Sequence, residues 1–167
     1  MTLALVVLAV SSALTLVEPQ EPGIPLHIIG VVQDREARSV PGATLHVYQT
    51  DASGRYTPDK PMAESHARLS GRLTTDAEGR FVILTIRPGG YPKSVRLGDS
   101  DRHIPAHIHI DITAPDRPER RMQLVFADDP LLTDLYWGDW VAKLRQPVAS
   151  VKPEGKGQVA RITLTID

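Results

Sequence analysis

Proline and glycine are spread along the whole chain, and their spacing limits the possible fold more than any other feature. The 167 residues include 14 prolines and 12 glycines, which divide the sequence into short apolar runs. Both residue types interrupt regular structure and are favoured in turns. Many short runs separated by turns are typical of an all-β sandwich. We therefore predict an all-β fold, an antiparallel β-sandwich with long loops that carry the functional site.

Alternating or continuously apolar runs predict the individual strands of this sandwich. The stretch from Pro130 to Leu144 is expected to hold a short helix or an irregular excursion. The loop from Arg87 to Ile104 is longer than a simple connection, and loops of that length often carry function. The predicted strands are Leu26–Gln33, Ala43–Gln49, Ala67–Thr75, Phe81–Ile86, Ala106–Thr113, Arg120–Ala127 and Gln158–Ile166.

The first 17 residues, MTLALVVLAVSSALTLV, form an apolar segment that precedes the predicted sandwich. A membrane span needs about 20 residues, so no stable span is predicted. The segment resembles the apolar region of a secretory signal, and we predict a leader over residues 1–17, a linker over 18–25 and one domain over 26–167. The protein is then secreted or periplasmic, and otherwise cytoplasmic. Because no basic residue precedes the apolar run, a misassigned start codon or a buried first strand remain alternatives.

Composition excludes several classes of function. The net charge is −1 and the basic residues are scattered, which does not match the basic surface of a nucleic-acid-binding protein. The chain has no cysteine, so it can form neither a disulfide framework nor a thiolate-ligated metal site. A metal ion would have to bind to His, Asp, Glu, Tyr or backbone oxygen.

One predicted strand places two histidines on the same face. Residues 107–112 read HIHIDI. Because strand side chains alternate, His107, His109 and Asp111 share one face and the three isoleucines share the other, which belongs in the core. Two imidazoles on one face can converge on a single metal ion. Two ordinary histidines on an exposed face remain the alternative, whereas His27, His46 and His66 have no partner at metal-ligand spacing.

Two tyrosines lie in loops that neighbour this strand. Tyr56 ends the run after the second predicted strand, and Tyr91 follows two glycines in the long loop. Each tyrosine alone could be an ordinary loop residue that packs its ring and exposes its hydroxyl. Together with His107 and His109, two phenolates would suit a ferric ion, since a trivalent cation can displace a phenol proton whose pKa is about 10. Zinc is the alternative metal for His-x-His, although two tyrosine ligands would be unusual for it.

Several phrases, in the same order, resemble the intradiol ring-cleavage dioxygenases, the family of the catechol and protocatechuate enzymes. The resemblance covers more than half of the chain, from Val40 to Leu131. The phrases are VPGA (40–43), YQTDASGRY (48–56), GRLTTD (71–76), GRF (79–81), TIRPGGYP (85–92), PAHIH (105–109) and QLVFADDPL (123–131).

The resemblance implies a mononuclear non-haem Fe(3+) centre and a role for each matching residue. Tyr56 and His107 would be the equatorial ligands, and Tyr91 and His109 the axial ones. Tyr91 would also act as a base when a catechol displaces it. Gln123 matches an active-site glutamine of the family. The implied reaction cleaves a catechol-type ring between its hydroxyls with O2 and gives a muconate-type diacid, in a homo-oligomer or in a pair with a related subunit.

The chain departs from the family pattern in three places. The family has an arginine three residues before the first histidine, and this position is Ile104; Arg102 is the nearest candidate to replace it. Lys93 stands where an aromatic residue is common, and the helical dimerisation segment of catechol-type members is missing. Two alternatives therefore stay open: a dioxygenase-like protein without turnover, and a non-catalytic transthyretin-like or carboxypeptidase-regulatory-like sandwich that serves as a binding module.

Overall fold

The computed structural model describes residues 12–92 and 103–167 and consists mainly of strands. Each predicted strand is present, with bounds that differ by one or two residues. The strands are β1 (Ala13–Thr15), β2 (Pro25–Gln33), β3 (Thr44–Gln49), β4 (Leu69–Thr74), β5 (Arg80–Ile86), β6 (Tyr91–Pro92), β7 (His103–Ile104), β8 (His107–Thr113), β9 (Arg120–Phe126), β10 (Val148–Ala149), β11 (Val151–Glu154) and β12 (Gly157–Thr165).

The strands form two five-stranded sheets and a small ribbon, which confirms the predicted β-sandwich. The first sheet has the order β1-β5-β2-β12-β11, the second has the order β10-β9-β8-β3-β4, and β6 pairs with β7. The strands that surround the predicted site, β3, β4, β8 and β9, pair antiparallel as expected. Three pairs are parallel instead: β1 with β5, β10 with β9, and β12 with β2.

The core lies between the two sheets and fixes which face of β8 points outward. Ile108, Ile110 and Ile112 are at most 1% exposed and pack in the core. Each such side chain contributes roughly 1.5–3 kcal/mol when it is fully buried. A slip of one residue in the register of β8 would expose all three. His107 and His109 are therefore held on the outer face of the second sheet.

One helix, α1 (Leu135–Lys143), lies in the region expected to be a short helix or an irregular excursion. Asp134 caps it, because its carboxylate accepts a hydrogen bond from the backbone N–H of Tyr136 at 2.8 Å. Trp137 is its buried residue. No helix within residues 12–92 and 103–167 is long and apolar enough to cross a membrane.

The end of the predicted leader contributes to the sandwich. Strand β1 forms the edge of the first sheet and pairs with β5, and Leu16 is 8% exposed and belongs to the core. Gly71 of β4 leaves room for this segment, since a Cβ there would lie 2.7 Å from the Leu14 side chain. These contacts match the alternative of a first strand for residues 13–16. The leader prediction for residues 1–11 concerns residues outside the described part of the chain.

Leu16→Ala is expected to lower the free energy of unfolding by about 2 kcal/mol, because it removes a buried side chain from the sheet edge. Ile24→Ala is the matched control, since Ile24 is 51% exposed. Urea unfolding of full-length protein measures both. Equal stability of the two variants would show that the β1 segment does not pack as described.

Asp34 ties the end of β2 to its neighbours and should give the fold an acid-sensitive step. Burial opposes its ionisation, but hydrogen bonds from Arg38 and Arg117 outweigh that effect and lower its pKa to about 2. A depressed pKa stabilises the fold above the unfolded value of about 4, and this contribution is lost as the pH falls toward 2. Asp34→Asn is therefore expected to be less stable at pH 7 and to lose less stability between pH 4 and 2. An unchanged acid limb in urea titrations would contradict the assignment.

Candidate metal centre

Strand β8 presents His107 and His109 on the outer face of the second sheet. Although this face points away from the core, the side chains are only 4% and 6% exposed, because loops cover them. The Nδ1 atom of His107 lies 2.8 Å from the carbonyl oxygen of Pro105, so Nδ1 carries the proton and donates it. In the neutral ring, the Nε2 atom of His107 therefore offers a lone pair to the site. Metal-binding histidines commonly donate the N–H of their other ring nitrogen to a carbonyl oxygen in this way.

A tight turn after the end of β3 fixes the position of Tyr56. The Asp51 carboxylate accepts hydrogen bonds from the backbone N–H groups of Ser53 and Arg55, and Gly54 adopts a φ of +80°. After this turn, the Tyr56 N–H donates to the Pro61 carbonyl, and its own carbonyl accepts from Arg68. The backbone of Tyr56 is thus fixed on both sides, and its side chain is 1% exposed.

Tyr91 lies in a second loop that is joined directly to the first. The Thr50 hydroxyl donates to the Gly89 carbonyl at 2.8 Å, and the Gly89 N–H donates to the Asp51 carbonyl at 2.9 Å. The two backbones approach so closely that a Cβ on Gly54 would lie 2.3 Å from the Gly90 carbonyl oxygen. These contacts place Tyr91, 5% exposed, beside Tyr56.

The buried side chain of Gln49 holds the starts of both loops. Its amide nitrogen donates to the carbonyls of Thr50 and Ile86, at 3.1 and 3.0 Å. Its amide oxygen accepts from the Thr85 hydroxyl at 2.9 Å. A buried amide is costly unless it is hydrogen-bonded, so these partners fix the amide and, with it, the distance between the loops.

The four side chains bring their donor atoms into one cluster. The Tyr56 hydroxyl oxygen lies 2.9 Å from His109 Nε2 and 3.2 Å from the Tyr91 hydroxyl oxygen. The Tyr91 oxygen lies 3.4 Å from His107 Nε2, and the two Nε2 atoms are 3.1 Å apart. The structure thus brings together all four residues for which a metal-binding role was predicted.

Burial keeps these four groups neutral in the metal-free protein. Desolvation raises the pKa of Tyr56 and Tyr91 above the usual range of a phenol. Desolvation also lowers the pKa of His107, and it lowers that of His109 to about 3, with a smaller effect from His107. Neutral imidazoles are ready to bind a metal, whereas the phenols need a strongly charged cation to lose their protons.

The donor set fits one hard, highly charged metal ion. Nitrogen and oxygen ligands at about 2.0–2.2 Å from one centre lie roughly 2.8–3.6 Å apart at tetrahedral or right angles. The four measured separations, 2.9, 3.1, 3.2 and 3.4 Å, fall within that range. Among the described residues, no group of three His, Cys, Asp or Glu side chains is arranged to hold a metal ion. The two tyrosines therefore distinguish this cluster from a histidine–carboxylate site.

Comparison with known proteins identifies the family. A family model described as Dioxygenase matches residues 9–152. The chain belongs to the intradiol ring-cleavage dioxygenase family. It is 28% identical to catechol 1,2-dioxygenase 1 of Acinetobacter lwoffii over 153 residues, and the matched region covers 86% of this chain and 48% of that protein. It is 34% identical over 111 residues to the protocatechuate 3,4-dioxygenase beta chain of Burkholderia cepacia, covering 63% and 46%.

Solved structures share the fold of this dioxygenase-family chain. The dioxygenase domain of a dioxygenase–carbohydrate-binding protein fusion from Streptomyces sp. SirexAA-E superposes with a TM-score of 0.70 at 28% identity, covering 92% of this chain and 86% of that one. The 3-chlorocatechol 1,2-dioxygenase of Rhodococcus opacus has a TM-score of 0.72 at 23% identity, covering 93% and 66%. The chain spans about half the length of the catechol and protocatechuate relatives named above.

Gln123 and Arg102 are the other predicted site residues of this family member. Gln123 lies directly across from His109 in the register of β9 with β8, half-buried on the same face. Arg102 and Lys93 lie outside the described residues. Ile104, at the position of the family arginine, pairs with Tyr91 across the small ribbon. Ile104 lines a cavity of about 480 Å³ whose wall also includes Leu131 and Trp137.

Two residues beside the cluster were not singled out from the sequence. Tyr48 stacks on His109, with ring centroids 4.4 Å apart and planes at 4°. The Glu64 carboxylate lies 4.0 Å from His109 Nε2. The alternation of His46 and Tyr48 against Leu45 and Val47 in β3 could have indicated Tyr48, since this pattern puts Tyr48 on the outer face. Glu64 follows a loop with no periodic pattern, so no signal in the sequence pointed to it.

Gly89→Ala is expected to lower metal occupancy and to destabilise the fold by about 1–3 kcal/mol, because its Cβ would lie 2.6 Å from the Ala52 carbonyl oxygen and the Gly54 nitrogen. Gly138→Ala in α1 is the matched control, with its nearest contact at 3.4 Å. Bound iron per chain and urea unfolding measure the two effects. Full occupancy and wild-type stability in Gly89→Ala would refute the close approach of the two loops.

Proposed function

We propose that this chain is an Fe(III)-dependent intradiol dioxygenase that cleaves a catechol-type ring between its two hydroxyls. Both atoms of O2 would enter the product, a muconate-type dicarboxylic acid, so no external reductant is needed. The observation that carries the proposal is the convergence of two phenol oxygens and two imidazole nitrogens within 3.4 Å of their neighbours. A non-catalytic sandwich module would give no reason for these four groups to meet.

Tyr56, Tyr91, His107 and His109 would hold the metal. A bound ferric ion would supply Lewis acidity and a template that brings the catechol and O2 together. His107 is oriented for this role by its bond to the Pro105 carbonyl, and His109 by the stacked ring of Tyr48. The near-complete burial of the four side chains keeps water from competing for the donor atoms.

Tyr91 would act as the base that deprotonates the catechol in the proposed reaction. Its hydroxyl oxygen contacts both Tyr56 and His107, and the residue begins the short ribbon strand β6 rather than a strand of the two main sheets. As a phenolate, this oxygen can accept the proton of a catechol hydroxyl. Burial raises the pKa of Tyr91, which makes the phenolate a stronger proton acceptor than an exposed one. Gln123, across from His109, would face the bound ring from β9.

Purified iron-loaded protein should show a visible tyrosinate-to-iron charge-transfer band. The band should shift when a catechol is added without O2, and it should bleach when O2 enters and the ring is cleaved. A band that shifts but never bleaches would identify a catechol-binding protein without turnover. A colourless protein that takes up no iron would refute both the metal and the reaction.

Tyr91→Phe and His107→Ala are expected to reduce turnover or iron occupancy at least tenfold, because each removes a proposed ligand. Tyr136→Phe serves as the matched tyrosine control, since Tyr136 lies on α1 and is 43% exposed. Oxygen uptake with catechol and iron per chain are measured in each variant. Full activity and full iron in both ligand variants would overturn the ligand assignment.

A further inference from the structure

A pocket opens beside the metal-ligand cluster. Its volume is about 260 Å³, which is room for several water-sized groups or a short side chain of a ligand. Tyr48, whose ring stacks on His109, links the pocket to the cluster. The lining residues are His46, Tyr48, Glu64, Ser65, Ala67, Ser70 and Asp111.

Glu64 is the acidic residue of this pocket that faces the cluster. It begins a 3₁₀ turn, Glu64–His66, and its side chain is 50% exposed, although partial burial raises the pKa of its carboxyl. One carboxylate oxygen lies 4.0 Å from His109 Nε2. No lysine or arginine among the described residues forms an ion pair with it. Its charge is felt at the cluster, where it raises the pKa of Tyr56 and Tyr91.

The second acid of the pocket, Asp111, has its charge balanced by neighbours. Burial raises the pKa of Asp111, and Glu119 acts in the same direction. Arg121 on β9, His46 on β3 and Arg72 on β4 act in the opposite direction. Arg121 in turn pairs with Glu119 at 2.7 Å. Within residues 12–92 and 103–167, arginines act on Asp111 but none acts on Glu64, so Glu64 carries the less compensated charge of the pocket.

We propose that this pocket receives the ring substituent of the catechol and that Glu64 makes the enzyme prefer a cationic, aminoalkyl-bearing catechol over a carboxylated one. This inference rests on the proposed function, because it assumes that a catechol binds at the four-residue cluster. A substituent ammonium group would pair with Glu64 and could also lie near the ring of Tyr48. A substituent carboxylate would face an unpaired like charge, and across an interface such a contact lowers affinity.

The inference is tested by equilibrium binding to the iron-loaded protein under exclusion of O2. Isothermal titration calorimetry gives the dissociation constants of catechol, 4-(2-aminoethyl)catechol and 3,4-dihydroxybenzoate. Wild type is compared with Glu64→Gln, which keeps the size of the side chain and removes its charge. Glu78→Gln is the matched control, since Glu78 lies in the exposed turn before β5 and pairs with Arg80.

Wild type is expected to bind the aminoethyl catechol more tightly than the carboxylated one. In Glu64→Gln this preference should fall about tenfold, the effect of a half-exposed charge close to the charge of the ligand. Unsubstituted catechol is the reference in each variant, so that any general effect of Glu64→Gln on catechol binding cancels in the preference. Glu78→Gln should keep the wild-type preference. An unchanged preference in Glu64→Gln, or no binding of either substituted catechol, overturns the inference.

Oxygen uptake with unsubstituted catechol separates this inference from the proposed function. If wild type cleaves catechol but the preference does not depend on Glu64, the specificity inference fails and the reaction stands. If the preference depends on Glu64 but no O2 is consumed, the specificity inference stands and the proposed catalysis fails.

Discussion

The buried amide of Gln49 is the contact on which the candidate site depends. It lies at the end of β3, in register with Ile108 of β8. It bonds to Thr50, the first residue after β3, and to Ile86, the last residue of β5 before the Tyr91 loop. Since an unbonded amide in the core is costly, the loops can separate only by leaving this group unsatisfied. One side chain of β3, the neighbour of the strand that carries the histidines, thus links the origins of the two loops that carry the tyrosines. The four donor atoms are thereby held together before any metal binds.

The buried environment of the four donor groups favours tyrosine phenolates only when a cation is present. Burial disfavours phenolates and imidazolium ions alike, so the metal-free cluster is held by hydrogen bonds among neutral groups. The same burial strengthens the attraction between phenolates and a multivalent cation, because little water screens it. A site that is neutral without metal and anionic with it favours the most highly charged ion that fits four nitrogen and oxygen donors.

The sequence predicted the sandwich and the histidine face because both depend on local periodicity. The alternation in β8 leaves only one register that buries the isoleucines. This register fixes His107 and His109 on the opposite face of the strand, as the sequence predicted. The proximity of Tyr56 and Tyr91 was inferred from the family resemblance, since loop contacts have no period. Gln49 looked like an ordinary strand residue, because two of its three partners, Thr85 and Ile86, lie 36 and 37 positions away. The parallel pairing of β12 with β2 joins distant parts of the chain, and no short-range pattern indicates it.

The departures around the site change its electrostatic balance in one direction. Ile104 places an apolar side chain beside Tyr91, where the family has an arginine, and Glu64 adds a negative charge near His109. Both changes make the potential at the cluster less positive. A less positive potential raises the proton affinity of the Tyr91 phenolate, which strengthens it as a base toward a catechol hydroxyl. It also weakens the stabilisation of negative charge that develops on the ring. With the proposed reaction at this cluster, the negative charge of Glu64 would favour rings whose own substituent carries positive charge.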